Sequence, residues 1–208
     1  MLRATSLAVL LLGLAGCASS GVQPAAGRHF APGMWDVSAT GSASLHRIDN
    51  ELVDRAVSVE CTPQCGYFVT DRLEVLASAG VEHSKVEYED RGAPLQLEES
   101  RSVNYSAALG LQYNWDNESK VVPFARLFGG VLDSHRKTIQ TNIPFVGTAK
   151  DEETDTAPYY GVRLGIRYFT AANISIDAGL GWKRILYDDD FGDDTDDYSL
   201  VFGCAFFF

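Results

Sequence analysis

Tyr198-Ser199-Leu200-Val201-Phe202-Gly203-Cys204-Ala205-Phe206-Phe207-Phe208 ends the chain. With a period of two, Tyr198, Leu200, Phe202, Cys204, Phe206 and Phe208 share one face, and Ser199, Val201, Gly203 and Ala205 share the other. One face is greasy and the other is small. A soluble strand finishing on three phenylalanines invites aggregation, whereas a membrane barrel requires an apolar outer face with aromatics at its rim. The stretch therefore predicts a membrane-spanning β-barrel, with Phe208 as its insertion signature. The alternative is a buried last strand of a soluble sandwich.

Upstream, from Met34 onward, seven more segments of about ten residues alternate in the same way, a length that lets a tilted strand cross the apolar layer. They run over residues 34–45, 57–69, 73–83, 103–115, 121–132, 159–169 and 174–185. The cleanest sets Val103, Tyr105, Ala107, Leu109, Leu111, Tyr113 and Trp115 against Asn104, Ser106, Ala108, Gly110, Gln112 and Asn114. In the fifth segment Arg126 fixes the phase, because a central arginine facing lipid costs about 2–4 kcal/mol. A repeat supports the register: Tyr67-Phe68, a turn and Leu73-x-Val75-x-Ala77 match Tyr168-Phe169, a turn and Ile174-x-Ile176-x-Ala178.

Connections alternate between short (residues 70–72, 116–120, 170–173) and long (46–56, 84–102, 133–158, 187–197), as in barrels with short periplasmic turns and long extracellular loops. An even strand number puts both termini at the periplasmic, short-turn end. The prediction is an all-β, eight-stranded, antiparallel up-and-down transmembrane barrel over residues 34–208.

Alternation alone does not say which face is inside, since a lipid-anchored periplasmic barrel holding an apolar ligand would turn the apolar face inward. Glycines on the polar face, aromatics toward the strand ends of the apolar face and the terminal phenylalanine favour the membrane arrangement. The inward set then includes Glu60, Glu74, Glu82 and Asp177 against Arg126, Arg163, Arg167 and Lys183. In a narrow lumen such charges must pair or stay hydrated, which predicts a closed polar interior and no large pore.

The N-terminus supplies one positive charge at Arg3 and an apolar run from Ser6 to Leu14, followed by Leu14-Ala15-Gly16-Cys17. This is the layout of a secretory signal peptide over residues 1–17. The tetrapeptide resembles the lipobox of bacterial lipoproteins, which implies lipidation at Cys17; the plain alternative is ordinary cleavage nearby. Residues 18–33 have few large apolar groups and predict a flexible tether.

Together, residues 34–208 resemble the small outer-membrane β-barrel domain family, the OmpA/OmpX-like eight-stranded barrels. The resemblance rests on Gly66-Tyr67-Phe68-Val69-Thr70-Asp71-Arg72-Leu73 after Pro63, Pro123-Phe124 with Gly129-Gly130, the second Tyr168-Phe169 hairpin, and Phe206-Phe207-Phe208. It implies a bacterial outer-membrane location, insertion by the barrel-assembly machinery, and contact with outer-membrane lipid and lipopolysaccharide. It does not specify a surface ligand. Such domains serve envelope integrity or surface interaction.

Candidate chemistry is sparse. A net charge of -11 argues against nucleic acid. Asp188, Asp189, Asp190, Asp193, Asp194, Asp196 and Asp197 form an acidic external loop whose oxygens suit Ca²⁺, although the spacing is not that of an EF-hand and a solvated loop is the favoured explanation. Otherwise no cofactor is expected. Lys183 and Arg184, beside that loop, are candidates for contacting lipopolysaccharide phosphates. Cys61 and Cys65, about 13 Å apart on one strand, cannot bridge, and Cys204 lies one strand further away. Glu82-His83-Ser84 and Asp133-Ser134-His135 offer the residue types of a hydrolase, so a lipid A-modifying enzyme is the third alternative. The expectation is a non-enzymatic protein.

Overall fold

The computed structural model describes residues 27–46, 53–89, 97–143, 147–187 and 194–208. The proposed signal, with Cys17, lies outside these residues. Eight antiparallel strands follow one another in chain order: β1 (Trp35–His46), β2 (Val53–Phe68), β3 (Leu73–Glu89), β4 (Leu97–Asn114), β5 (Val121–Ile143), β6 (Gly147–Ala171), β7 (Ile174–Ile185) and β8 (Thr195–Phe207). Each pairs with its neighbours, and β8 closes on β1. The seam is tied at its lower end by mutual hydrogen bonds between Trp35 and Phe208, each 3.0 Å. Closure leaves no sheet edge in the barrel wall.

Side chains alternate across this wall, inverted relative to a soluble protein. Leu109, Leu111, Leu127, Leu164, Ile176, Leu180, Leu200 and Phe202 point outward and are half or more exposed. Asp36, Glu74, Gln112 and Arg167 are fully buried inside. Trp35, Tyr67, Tyr113 and Trp115 ring the short-turn end of the outer face.

Two expectations are corrected. Residues 84–102 and 133–158 are not chiefly loops, because β3 and β4 extend into the first and β5 and β6 into the second, reaching 23 and 25 residues. Backbone pairing continues there, through Asp133↔Thr156 to Gln140↔Ala149, although both faces have become polar. Nor are residues 27–33 a loose tether. Phe30 lies against Phe68, Phe169 and Phe207 under the barrel, where a large aromatic ring shields apolar area that would otherwise face water.

The N-terminal segment is fastened at several points. Arg28 pairs with Asp71 in the β2–β3 turn at 3.3 Å. The His29 amide donates to both oxygens of Asp116 in the β4–β5 turn, at 3.3 and 3.1 Å, and its ring stacks on Phe169 at 4.0 Å. Gly33 takes a φ of 91°, which a side chain would resist, and from there its amide reaches the Phe68 carbonyl at 2.8 Å.

Candidate functional site: the barrel interior

The interior is built in layers from inward positions on all eight strands. At the bottom, Phe30, Met34, Phe68, Val122, Phe169, Ala205 and Phe207 make an apolar floor. Directly above lies Arg167. Its guanidinium donates to Asp177 at 3.0–3.1 Å and to Asp36 at 3.1 Å, and sits 3.6 Å from Glu74. Phe207, Phe30 and Phe124 surround the same group at 4.9, 5.8 and 5.9 Å. Charged hydrogen bonds on one side and aromatic faces on the other replace the water that burial removes. Gly66 makes this possible, since a Cβ there would collide with the Glu74 carboxylate.

The middle layer joins charge to amides. Arg126 donates to Gln112 at 2.9 and 2.7 Å and to Gln64. Gln112 donates to Glu74 at 3.2 Å, and Gln64 to Thr40 at 2.7 Å. Higher up, Lys183 bridges Glu82 at 3.6 Å and Asp197 at 3.4 Å. Glu60 accepts from Ser42 at 3.0 Å and Thr62 at 2.8 Å, and Arg163 lies against the Phe128 ring at 5.9 Å. Between these layers is a cavity of ≈ 50 Å³ with a mixed lining that includes Arg126, Arg163, Glu60, Leu76 and Phe128. It is space for a few waters. A second apolar cluster of Leu132, Ala157, Tyr159 and Ile185, with Phe128 and Tyr187 against it, lines the β5–β7 side of the upper interior.

All of Glu60, Glu74, Glu82, Arg126, Arg163, Arg167, Asp177 and Lys183 are placed inside, with Glu74 and Gln112 linking the Arg167 layer to the Arg126 layer. Asp36 and Asp197 join them, so acids outnumber bases. Period-two alternation marks Asp36 as inward; the amides Gln64 and Gln112 carried no charge to draw attention.

Other candidates are placed differently. Asp188, Asp189, Asp190 and Asp193 lie outside the described residues. Asp194 and Asp196 engage Arg184 at 3.1 and 4.0 Å, and Asp197 engages Lys183 inside the barrel. No group of metal-binding side chains occurs among the described residues. Lys183 is thus turned into the barrel and away from any lipid, while Arg184 stays on the outer wall beside Asp194 and Asp196. Cys61 and Cys204 are exposed on the outer wall with β1 between them, where Gly41 faces Cys61 and Ala39 faces Cys204.

Neither hydrolase-like triplet assembles. His83 points outward while Glu82 and Ser84 point inward, and Ser84 bonds Ser102 at 2.6 Å. Ser134 points inward to Asn104 at 2.8 Å, while His135 pairs outside with Asp133 at 3.3 Å. Strand alternation separates the nucleophile from the base in both.

No protein-family model and no curated protein matches the chain. Solved structures do. The outer membrane protein OprG from Pseudomonas aeruginosa superposes with a TM-score of 0.52 at 14% identity, covering 88% of this chain and 98% of that one. Ail, the attachment invasion locus protein of Yersinia pestis, gives 0.50 at 16%, covering 85% and 99%. The fold is that of the small eight-stranded outer-membrane β-barrels.

Proposed function

We propose that this chain is a non-enzymatic protein of the bacterial outer membrane, with its termini and short turns in the periplasm and its long hairpins outside. It acts in envelope integrity or surface interaction rather than in transport through a pore. One observation carries the reading: large apolar side chains cover much of the outward face, most densely from β4 to β8, around an interior filled by buried ion pairs above an apolar floor. Such a wall is stable with lipid outside and would aggregate in water. Its partners are then outer-membrane lipid and lipopolysaccharide, with the barrel-assembly machinery acting during insertion. Lipidation at Cys17 would add a second anchor.

The separation of histidine from serine in both triplets supports the non-enzymatic reading over a lipid A-modifying enzyme. The test is resistance of the membrane-bound protein to carbonate, together with gel mobility in mild detergent before and after boiling. A heat-dependent shift with carbonate resistance is expected. Release by carbonate without a shift would favour the soluble, ligand-holding barrel.

A further inference from the structure

We propose that Glu74 keeps its proton in the folded barrel and donates it from Oε1 to Oδ1 of Asp36, so that one proton is bound as a structural ligand beside the seam. The inference stands on the geometry of the interior and is independent of what lies outside the wall.

Three carboxyl groups crowd one guanidinium, and they are not equivalent. Asp177 accepts three hydrogen bonds from Arg167 and Asp36 accepts one, whereas Glu74 stands off with its Oε2 3.6 Å from Nη1. That Oε2 accepts instead from Gln112 at 3.2 Å. Asp36, Glu74 and Arg167 have no exposed surface. With these contacts drawn, Oδ1 of Asp36 and Oε1 of Glu74 are each buried without a partner among the described residues.

The register brings the two orphaned oxygens together. Glu74 is paired with Phe68, but its side chain leans diagonally over Gly66, where Oε1 fills the space that a Cβ would take. Gly66 in turn faces Asp36 across the β1–β2 ladder. The two carboxyl groups are thus neighbours within hydrogen-bonding reach. Two ionised carboxylates have only acceptors to offer each other, and their contact is repulsive. One proton removes both faults, because a protonated carboxyl carries an O–H donor and no charge.

The charge count agrees. Arg167 and Arg126 are the cations of the two lower layers, joined through Gln112 and Glu74. Asp36 and Asp177 balance them, and a third carboxylate would be a buried charge without compensation. Glu60 and Arg163, in the layer above, add one charge of each sign. The other faces around the pair, Gly66 on β2, Phe207 on β8 and Phe30 below, carry none. The proton therefore ties β3 to β1 across β2, one residue from the Trp35–Phe208 hydrogen bonds that close the barrel.

The test uses the full chain refolded in an ester-free detergent, with closure checked by heat-dependent gel mobility. Infrared spectra in deuterated buffer at neutral pH should show the carbonyl stretch of an un-ionised carboxylic acid. Glu74→Gln should abolish that band. Asp36→Asn should abolish it too, because Glu74 then becomes the second anion of the cluster. Glu60→Gln should leave it in place. The urea midpoint separates a bound proton from an ordinary ion pair. In Glu74→Gln the amide N–H replaces the O–H donor to Asp36, so the midpoint should stay at or above that of the wild type. A wild type without the band, a band that survives Glu74→Gln or Asp36→Asn, or a midpoint lowered in Glu74→Gln as far as in Arg167→Met would overturn the proposal.

Discussion

Arg167 shows how a single residue governs the interior. A fully buried guanidinium is tolerable only because Asp36, Asp177 and Glu74 surround it. Arg167→Met should therefore cost about 3–5 kcal/mol, since it leaves three carboxyl groups without their cation. Urea unfolding in vesicles, followed by tryptophan fluorescence, measures this; an unchanged midpoint would show that the cluster is not held by the arginine. Phe30→Ala removes the ring that closes the floor between Phe68, Phe169 and Phe207, with an expected loss of about 3–5 kcal/mol in the same assay. Phe30 was hard to recognise from sequence because it is a single aromatic between Arg28-His29 and Ala31-Pro32-Gly33, with no period to reveal a partner. Arg167 was plain, being a charge on the polar side of a strongly alternating segment.

At the scale of strands, the pattern was legible where one face met lipid. The eight segments, their phase and the short turns follow from alternation, and the repeated Tyr-Phe pairs split as expected: Phe68 and Phe169 are buried in the floor while Tyr67 and Tyr168 are outward. Beyond Val131 the signal ends. Asp133, Ser134, His135, Arg136 and Lys137 are polar on both faces, so backbone pairing alone defines the strand, and pairing leaves no period in the sequence. The projecting β5–β6 hairpin should be dispensable for closure. Replacing residues 136–155 by a short turn is expected to preserve the heat-dependent gel shift and carbonate resistance, since neither apolar cluster is cut. Loss of the shift would mean that the hairpin holds the barrel shut.

For the whole molecule, the layered interior implies a sealed cylinder. An apolar floor closes the lower end, ion pairs and amides fill the space above it, and the cavity between the charged layers holds only ≈ 50 Å³. Vesicles carrying the protein should not swell in isotonic arabinose; swelling at porin-like rates would show that the floor or the charged layers open. The central claim, that the apolar wall faces lipid, is tested most directly by the tryptophans. All three in the chain, Trp35, Trp115 and Trp182, lie on the outer wall toward strand ends, where aromatic girdles meet a membrane interface. In vesicles of phosphatidylcholine with brominated acyl chains, their emission should be strongly quenched relative to unbrominated vesicles. Equal emission in the two, with the protein remaining in the aqueous phase, would contradict the account and turn the barrel wall toward water.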